Sequence, residues 1–314
     1  MMKDKNILIT GATSGIGRSA AIALSKMGAN ISFIARSPEK AQELQKEIKL
    51  ASNLEADSII ADLSSLEQIR QAANEFKKKE KHIDVLLNNA GIMNTERKVT
   101  VDGFEETFAV NHLAYFLLTN LLIDEILSGT DKRVVNVSSD AHKFINRINF
   151  EDLQWEESYK MFKAYGQSKL ANILFTRKLS LLYENQGLTS NSLHPGFVST
   201  SIGTQNKNRP FFASLIKLAS PIFAKKSDKG AETSVYLCSS KEVENTSGEY
   251  FVDCKTAPTT PGAKNMEDAD KLWEISKNLC NLNNIEWVIA VPHNIIGPKQ
   301  KYDDPFRNVI SIML

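Results

Sequence analysis

Tyr165 and Lys169 lie four residues apart in an apolar stretch running from Ala164 to Phe175, so a helix there sets a phenol and an ammonium on one face. A tyrosine near its ordinary pKa is a poor acid at neutral pH, and an adjacent ammonium favours the phenolate and brings it toward the working range. Tyr159 and Lys163 repeat the spacing six residues upstream, in a polar run with no evident core face. The later pair is the better candidate because Leu170-Ala-Asn-Ile-Leu-Phe175 continues past it as a buried helix. A second source of chemistry is Thr10-Gly-Ala-Thr-Ser-Gly-Ile-Gly17, which follows the apolar run Asn6 to Ile9 and precedes the helix-period stretch Arg18 to Met27. In that place Gly11 makes the tight turn off a strand and Gly15 lets the backbone approach a pyrophosphate. Gly17 lets the helix pack closely, and free N–H groups at the helix N-terminus meet the phosphate charge. The spacing is Gly-xxx-Gly-x-Gly, and the chemistry it suits is dinucleotide binding. At the end of the second apolar run, Ala35-Arg36-Ser37 offers no carboxylate for a ribose 2′-hydroxyl. Arg36 instead suits a 2′-phosphate, which favours NADP(H) over NAD(H).

Other chemistries find less support. His142 and His194 have no second His or Cys at ligand spacing and there is no Gly-x-Ser-x-Gly elbow, so no metal site is expected and both read as loop or supporting histidines. With 38 basic against 37 acidic residues and a net charge of +1, the chain has no field for nucleic acid, and small-molecule chemistry is the default. Cys238, Cys254 and Cys280 form an odd, scattered set without CxxC spacing, and the polar N-terminus enters a strand directly. Both features lead to the expectation of a cytoplasmic protein with reduced thiols.

The elements that must position these groups alternate along the chain. Strand-like runs at Asn6 to Ile9, Ile31 to Ala35, Ser58 to Ala61, Ile83 to Asn88, Arg133 to Ser138, Thr189 to Leu193 and Glu249 to Val252 interleave with helices. Those helices are expected at Arg18 to Met27, Pro38 to about Leu50, Ser65 to Lys79, Gly103 to Leu127, Ala164 to Tyr183 and Lys229 to Ser239. Such alternation predicts an α/β fold, a Rossmann-like doubly wound parallel sheet of about seven strands with helices on both faces. Two long connections, Ser139 to Lys163 and Phe197 to Asp228, follow strand C-terminal ends, where open α/β sheets bind ligands. The second contains an apolar segment, 210–224, which reads as a lid over an apolar substrate, with membrane-surface contact as the second reading.

In order and spacing, Thr10-Gly-xxx-Gly-x-Gly17, Asp62-Leu63, Asn88-Asn-Ala-Gly91, Asn111, Val137-Ser-Ser139, Tyr165-xx-Ser-Lys169 and His194-Pro-Gly196 form one set. On that set the chain resembles the single-domain short-chain dehydrogenases/reductases. Val135-Asn-Val-Ser-Ser-Asp-Ala-His142, Tyr165-Gly-Gln-Ser-Lys-Leu-Ala-Asn-Ile-Leu-Phe175 and Gly248-Glu-Tyr-Phe-Val-Asp-Cys254 are similar to the retinol dehydrogenase-like branch.

The resemblance implies a phosphate turn of Gly11, Thr13, Ser14, Gly15, Ile16 and Gly17, with Arg36 beside the adenosine ribose. Asp62 and the backbone of Leu63 would hold the adenine, while Asn89, Ala90 and Gly91 line the adenine ribose. Pro195, Gly196, Val198 and Thr200 would seat the carboxamide. Ser139 would hydrogen-bond the substrate oxygen, Tyr165 would exchange a proton with it, and Lys169 would bind the nicotinamide ribose and lower the tyrosine pKa. Asn111, placed by a kink in its helix, would hold a water that passes protons toward Lys169. The activity implied is an NADP(H)-dependent oxidoreductase for an apolar aldehyde, ketone or alcohol, with homo-oligomers usual for the family. The rival reading is a catalytically weak NADPH-binding regulatory or scaffold protein on the same fold.

The likeness covers residues 1 to about 281, and 1–284 is expected to form one domain. Residues 285–314 instead resemble a segment of nucleotide-sugar epimerases and dehydratases. They read as an appended tail, a fusion remnant or arm.

Overall fold

The computed structural model describes residues 2–79, 81–196 and 227–282. Val198, Thr200, the segment 210–224 and the tail 285–314 lie outside the described residues. Eight strands form one sheet in the order β3-β2-β1-β4-β5-β6-β7-β8. They are β1 (Asn6–Thr10), β2 (Asn30–Ala35), β3 (Asp57–Ile60), β4 (Val85–Asn88), β5 (Arg133–Val137), β6 (Thr189–His194), β7 (Tyr250–Val252) and β8 (Lys255–Thr256). All neighbours pair in parallel except β7 and β8. The expected Rossmann-like parallel sheet of about seven strands is present, with one short strand added at its edge. That strand is two exposed residues closing a hairpin through Asp253 and Cys254, both at positive φ, and is too short to show as an apolar run.

Helices cover both faces. On one side α1 (Gly15–Lys26), α2 (Pro38–Ser52) and α8 (Ser227–Ser239) bury Ile16, Leu24, Leu44 and Leu237 against Ile9, Phe33 and Val137. On the other, α3 (Leu66–Lys77), α5 (Ala114–Leu121), α7 (Met161–Leu182) and α9 (Met266–Leu279) bury Ile69, Phe116, Phe175 and Trp273. Coverage of both faces explains why β4 and β5 are buried at every residue instead of alternating between core and solvent. Between β1 and β4 the winding reverses, which opens a crevice at the C-terminal ends of those two strands. Among the described residues no helix is long and apolar enough to cross a membrane.

The helix expected from Gly103 to Leu127 is interrupted. α4 (Glu106–Phe108) leads into a π turn (Ala109–Leu113), then α5, and after a break at Leu122 comes α6 (Ile123–Leu127). The buried Glu105 caps it, its carboxylate accepting the N–H of Thr107 at 2.8 Å and of Phe108 at 2.7 Å. π turns gather at functional positions, and this one carries Asn111 where a kink was expected.

α9 was not expected from the sequence. Its signals are present: Asn265 accepts the Asp268 N–H at 3.1 Å as a cap, and Ala269, Leu272, Trp273 and Ser276 recur at helical spacing and are buried. The helix reaches the π turn through His112, whose Nε2 is 2.9 Å from the Ser276 hydroxyl. Phe108, Phe116 and Phe175 surround the imidazole, and Trp273 packs edge-on against Phe116 at 4.9 Å. Burial pushes His112 down to about 3, against 6.5 for a free imidazole. Between those values the unfolded chain binds a proton that the fold refuses. Stability from this group is therefore complete above pH 6.5 and is lost as pH falls toward 3, at a limiting slope of about 1.4 kcal/mol per pH unit. Urea titrations at pH 7 and pH 5 check this. The drop in midpoint is expected to shrink in His112→Gln, and an identical drop would show that other groups dominate.

Candidate active site

The turn from β1 into α1 is locked to the end of β4. Thr10 Oγ1 accepts the N–H groups of Asn89 at 2.9 Å and Ala90 at 3.0 Å, while Asn89 Nδ2 donates to the carbonyls of Thr10 at 2.9 Å and Gly11 at 3.1 Å. This lock leaves no room for side chains. A Cβ on Gly11, whose φ is +65°, would lie 2.7 Å from Ala90 Cα, and one on Gly17 would lie 2.3 Å from Asn89 Nδ2 and 2.4 Å from the Gly11 carbonyl. The close packing expected at Gly17 is thus made with Asn89 and the turn itself. Ser14, the N-cap of α1, gives the first turn no side-chain hydrogen bond, and no acidic residue stands there. The positive end of a twelve-residue helix therefore faces the crevice uncapped, which fits an anionic phosphate group. Arg36 is exposed just past β2, and no ion pair engages it among the described residues. Asp62 stands on the neighbouring β3 edge, one of its oxygens accepting the Ser64 N–H at 2.9 Å.

Across the crevice α7 and the segment after β5 close on each other. Ser139 caps a short 3₁₀ helix (Asp140–Phe144), its Oγ accepting the Ala141 N–H at 3.2 Å. Gly166 lets α7 press on that helix, since a Cβ there would sit 2.6 Å from the Ala141 carbonyl. The contact brings together two residues 26 apart in sequence, Ser139 and Tyr165, with the Ser139 hydroxyl close enough to act on the phenol and lower its pKa. Lys169 is buried, with Nζ donating to the Val137 carbonyl at 3.1 Å and lying 5.6 Å from the Tyr165 ring centre. Asn111 completes the group. Its Oδ1 accepts the Ile92 N–H at 2.8 Å, and its Nδ2 donates to the Ile92 carbonyl and to Ser168 Oγ, both at 2.9 Å. A Cβ on Gly91 would lie 3.4 Å from both Asn111 Oδ1 and Lys169 Nζ, so the chain after β4 passes between them. The Asn111 amide thus braces Ile92 and Ser168.

Burial reverses the expected direction of the tyrosine pKa. Loss of solvent pushes Tyr165 up to about 12, with the Ser139 hydroxyl acting to lower it, and pushes Lys169 down to about 7. Each charged form loses hydration in the same enclosed space, and that loss outweighs the help an ammonium gives a phenolate. The rival pair separates: the Tyr159 hydroxyl donates to the Asn94 carbonyl at 3.0 Å, half-buried against the core, while Lys163 is exposed. Tyr159 therefore has a core face that its polar surroundings in sequence did not reveal.

Sequence reasoning missed Tyr115. Fully buried on α5, it donates to the Ala90 carbonyl at 2.7 Å and lies 5.9 Å from Lys169 Nζ. Its one signal is the four-residue spacing from Asn111. His142 supports Ser139 from behind, with Nδ1 2.8 Å from the Ser139 carbonyl and its ring edge-on to Tyr250, whose hydroxyl donates to Asp140 at 2.9 Å. His194 ends β6, and Pro195 and Gly196 follow at the crevice edge. Among the described residues no group of three or more His, Cys, Asp or Glu side chains is placed to hold a metal ion.

Residues 5–210 match the family model described as short chain dehydrogenase. The chain belongs to this family. Within it the chain falls in the retinol dehydrogenase-like branch. It is 42% identical to human retinol dehydrogenase 14 over 296 residues, covering 90% of this chain and 88% of that one, and 39% identical to mouse retinol dehydrogenase 12 over 285 residues, covering 90% and 87%. A solved uncharacterized protein from Mycobacterium paratuberculosis superposes with a TM-score of 0.71 at 32% identity, over 89% of this chain and 94% of that one. A candidate NAD(P)-dependent gluconate 5-dehydrogenase from Beutenbergia cavernae, solved with bound NADP, gives a TM-score of 0.62 at 25% identity, over 80% and 96%. This short-chain dehydrogenase is accordingly an oxidoreductase of CH–OH groups that uses a nicotinamide dinucleotide.

Proposed function

We propose that the chain is an NADP(H)-dependent oxidoreductase interconverting an apolar aldehyde or ketone and its alcohol. The observation that carries this reading is the single cluster in which Ser139 acts on the Tyr165 phenol and the buried Lys169 lies beneath the same ring, opposite a turn where Gly11 and Gly17 have no room for a Cβ. At neutral pH Tyr165 holds its proton and is poised to give it to a substrate carbonyl oxygen. Ser139 donates a second hydrogen bond to that oxygen, and the two donors stabilise the alkoxide character that develops there. When bound, the nicotinamide supplies the hydride for reduction or takes it in oxidation. Lys169 would hold the ribose beside that ring, with Asn111 and Tyr115 fixing the chain segment that passes Lys169. The names of the relatives, retinol dehydrogenases, support an apolar alcohol or aldehyde.

The choice of NADP(H) rests on Arg36. An exposed guanidinium with no acidic partner among the described residues, on the strand edge next to Asp62, suits a doubly charged 2′-phosphate and offers nothing to a 2′-hydroxyl. Steady-state rates with NADPH and NADH check this. Arg36→Ala is expected to raise KM for NADPH about 10- to 100-fold, the loss of one or two charge-assisted hydrogen bonds, with little change for NADH. An unchanged preference would sink the assignment.

A further inference from the structure

Two large rings stand open beside the catalytic cluster. Phe144 and Phe162 are 59% and 48% exposed, yet they touch, with ring centres 6.2 Å apart in an edge-on arrangement. Neither closes the core; Ile145, adjacent to Phe144, and Ala164, two residues on from Phe162, do that. An exposed aromatic pair is unusual enough on a soluble surface to ask what it meets.

Its position answers that question. Phe144 is the last residue of the 3₁₀ helix that Ser139 caps, and Phe162 is the second residue of α7, three before Tyr165. Phe162, Tyr165 and Lys169 fall at i, i+3 and i+7, so they share one stripe of the helix. The same contact that joins Ser139 to Tyr165, the press of Gly166 on Ala141, sets the two phenylalanine rings together one turn further out. The pair thus stands five residues beyond Ser139 and three before Tyr165, the two residues expected to hold a carbonyl. We propose that Phe144 and Phe162 are specificity-determining residues, the surface on which the apolar part of the substrate lies, so that they read its length. This rests on the reductase reading given above.

This aromatic wall contributes only to substrates long enough to reach it, so its removal separates long from short. With NADPH and aldehydes from butanal to decanal, the wild type is expected to gain in kcat/KM with chain length. Phe144→Ala/Phe162→Ala is expected to lose about tenfold on decanal, the transfer free energy of part of two rings, and to leave butanal unchanged. Both rings are exposed, so the fold tolerates the change, and matching melting curves confirm it. Equal loss on short and long aldehydes would make the pair a structural support of Ser139 and Tyr165, and no loss at any length would assign it to another partner such as a bilayer or a second copy of the chain. Either outcome overturns the proposal. Should the wild type reduce no aldehyde at all, the reductase reading fails separately, and calorimetric binding of 1-decanol against 1-butanol then decides the wall. Weaker decanol binding in the double variant upholds it, and equal binding sinks it.

Discussion

Tyr165→Phe is expected to lower kcat for NADPH-dependent carbonyl reduction by about 10²- to 10⁴-fold, the range lost with a general acid, while NADPH binding is unchanged. The substitution removes one oxygen from a ring that Lys169 underlies and whose phenol Ser139 acts on, and it leaves the helix stripe that places the ring above Lys169. Protonation gives the test a second axis. With Tyr165 pushed up to about 12, the phenol is loaded for reduction across the neutral range, whereas oxidation of an alcohol needs the phenolate. Alcohol oxidation by the wild type should therefore climb as pH rises from 6 to 9, at up to about tenfold per unit, while reduction does not climb. Stopped-flow turnover in both directions measures this. Retention of wild-type reduction by Tyr165→Phe would remove the tyrosine from the mechanism, and tight NADPH binding with no turnover by the wild type would favour a regulatory protein on the same fold.

The second large effect is at the cradle. Gly17→Val is expected to abolish measurable NADPH binding and to destabilise the fold by about 1–3 kcal/mol or more, as overpacking of a closed contact does. The added Cβ alone would stand 2.3 Å from Asn89 Nδ2 and 2.4 Å from the Gly11 carbonyl, so either the Asn89 lock opens or α1 moves off the turn. In both cases the N-terminus of α1 leaves the position in which its N–H groups meet a phosphate. Calorimetric titration with NADPH, beside a melting curve, reads the two consequences separately. NADPH affinity equal to the wild type in Gly17→Val would show that the turn is not the phosphate site.

Particular residues show how far local pattern carries. The strand and helix alternation was legible because apolar runs and glycine punctuation are local signals, and β1, α1, β2 and α2 fall where those signals put them. The helix 266–279 carries its own cap and a buried stripe, Ala269, Leu272, Trp273 and Ser276, at helical spacing, and it was not expected. β8 had no such pattern, being two exposed residues that exist only because β7 offers an edge. In the site, Asn111 was placed at a kink and the structure puts it in a π turn, whereas Tyr115 was passed over because a tyrosine in a leucine-rich helix looks like core until its hydroxyl is seen on the Ala90 carbonyl.

By itself the sequence determined the kind of chemistry and the units that carry it: a glycine turn between a strand and a helix, a phenol and an amine on one helical face, and a parallel α/β sheet to hold them. Those features depend on neighbours a few residues apart, which is the range over which backbone periodicity acts. Tertiary structure alone decided which tyrosine faces Ser139, how a 26-residue gap closes through Gly166, and which protonation states result. Closure needs two distant segments to exclude the same volume, and a pKa follows the loss of water around a group. Both are set by every element packed there at once.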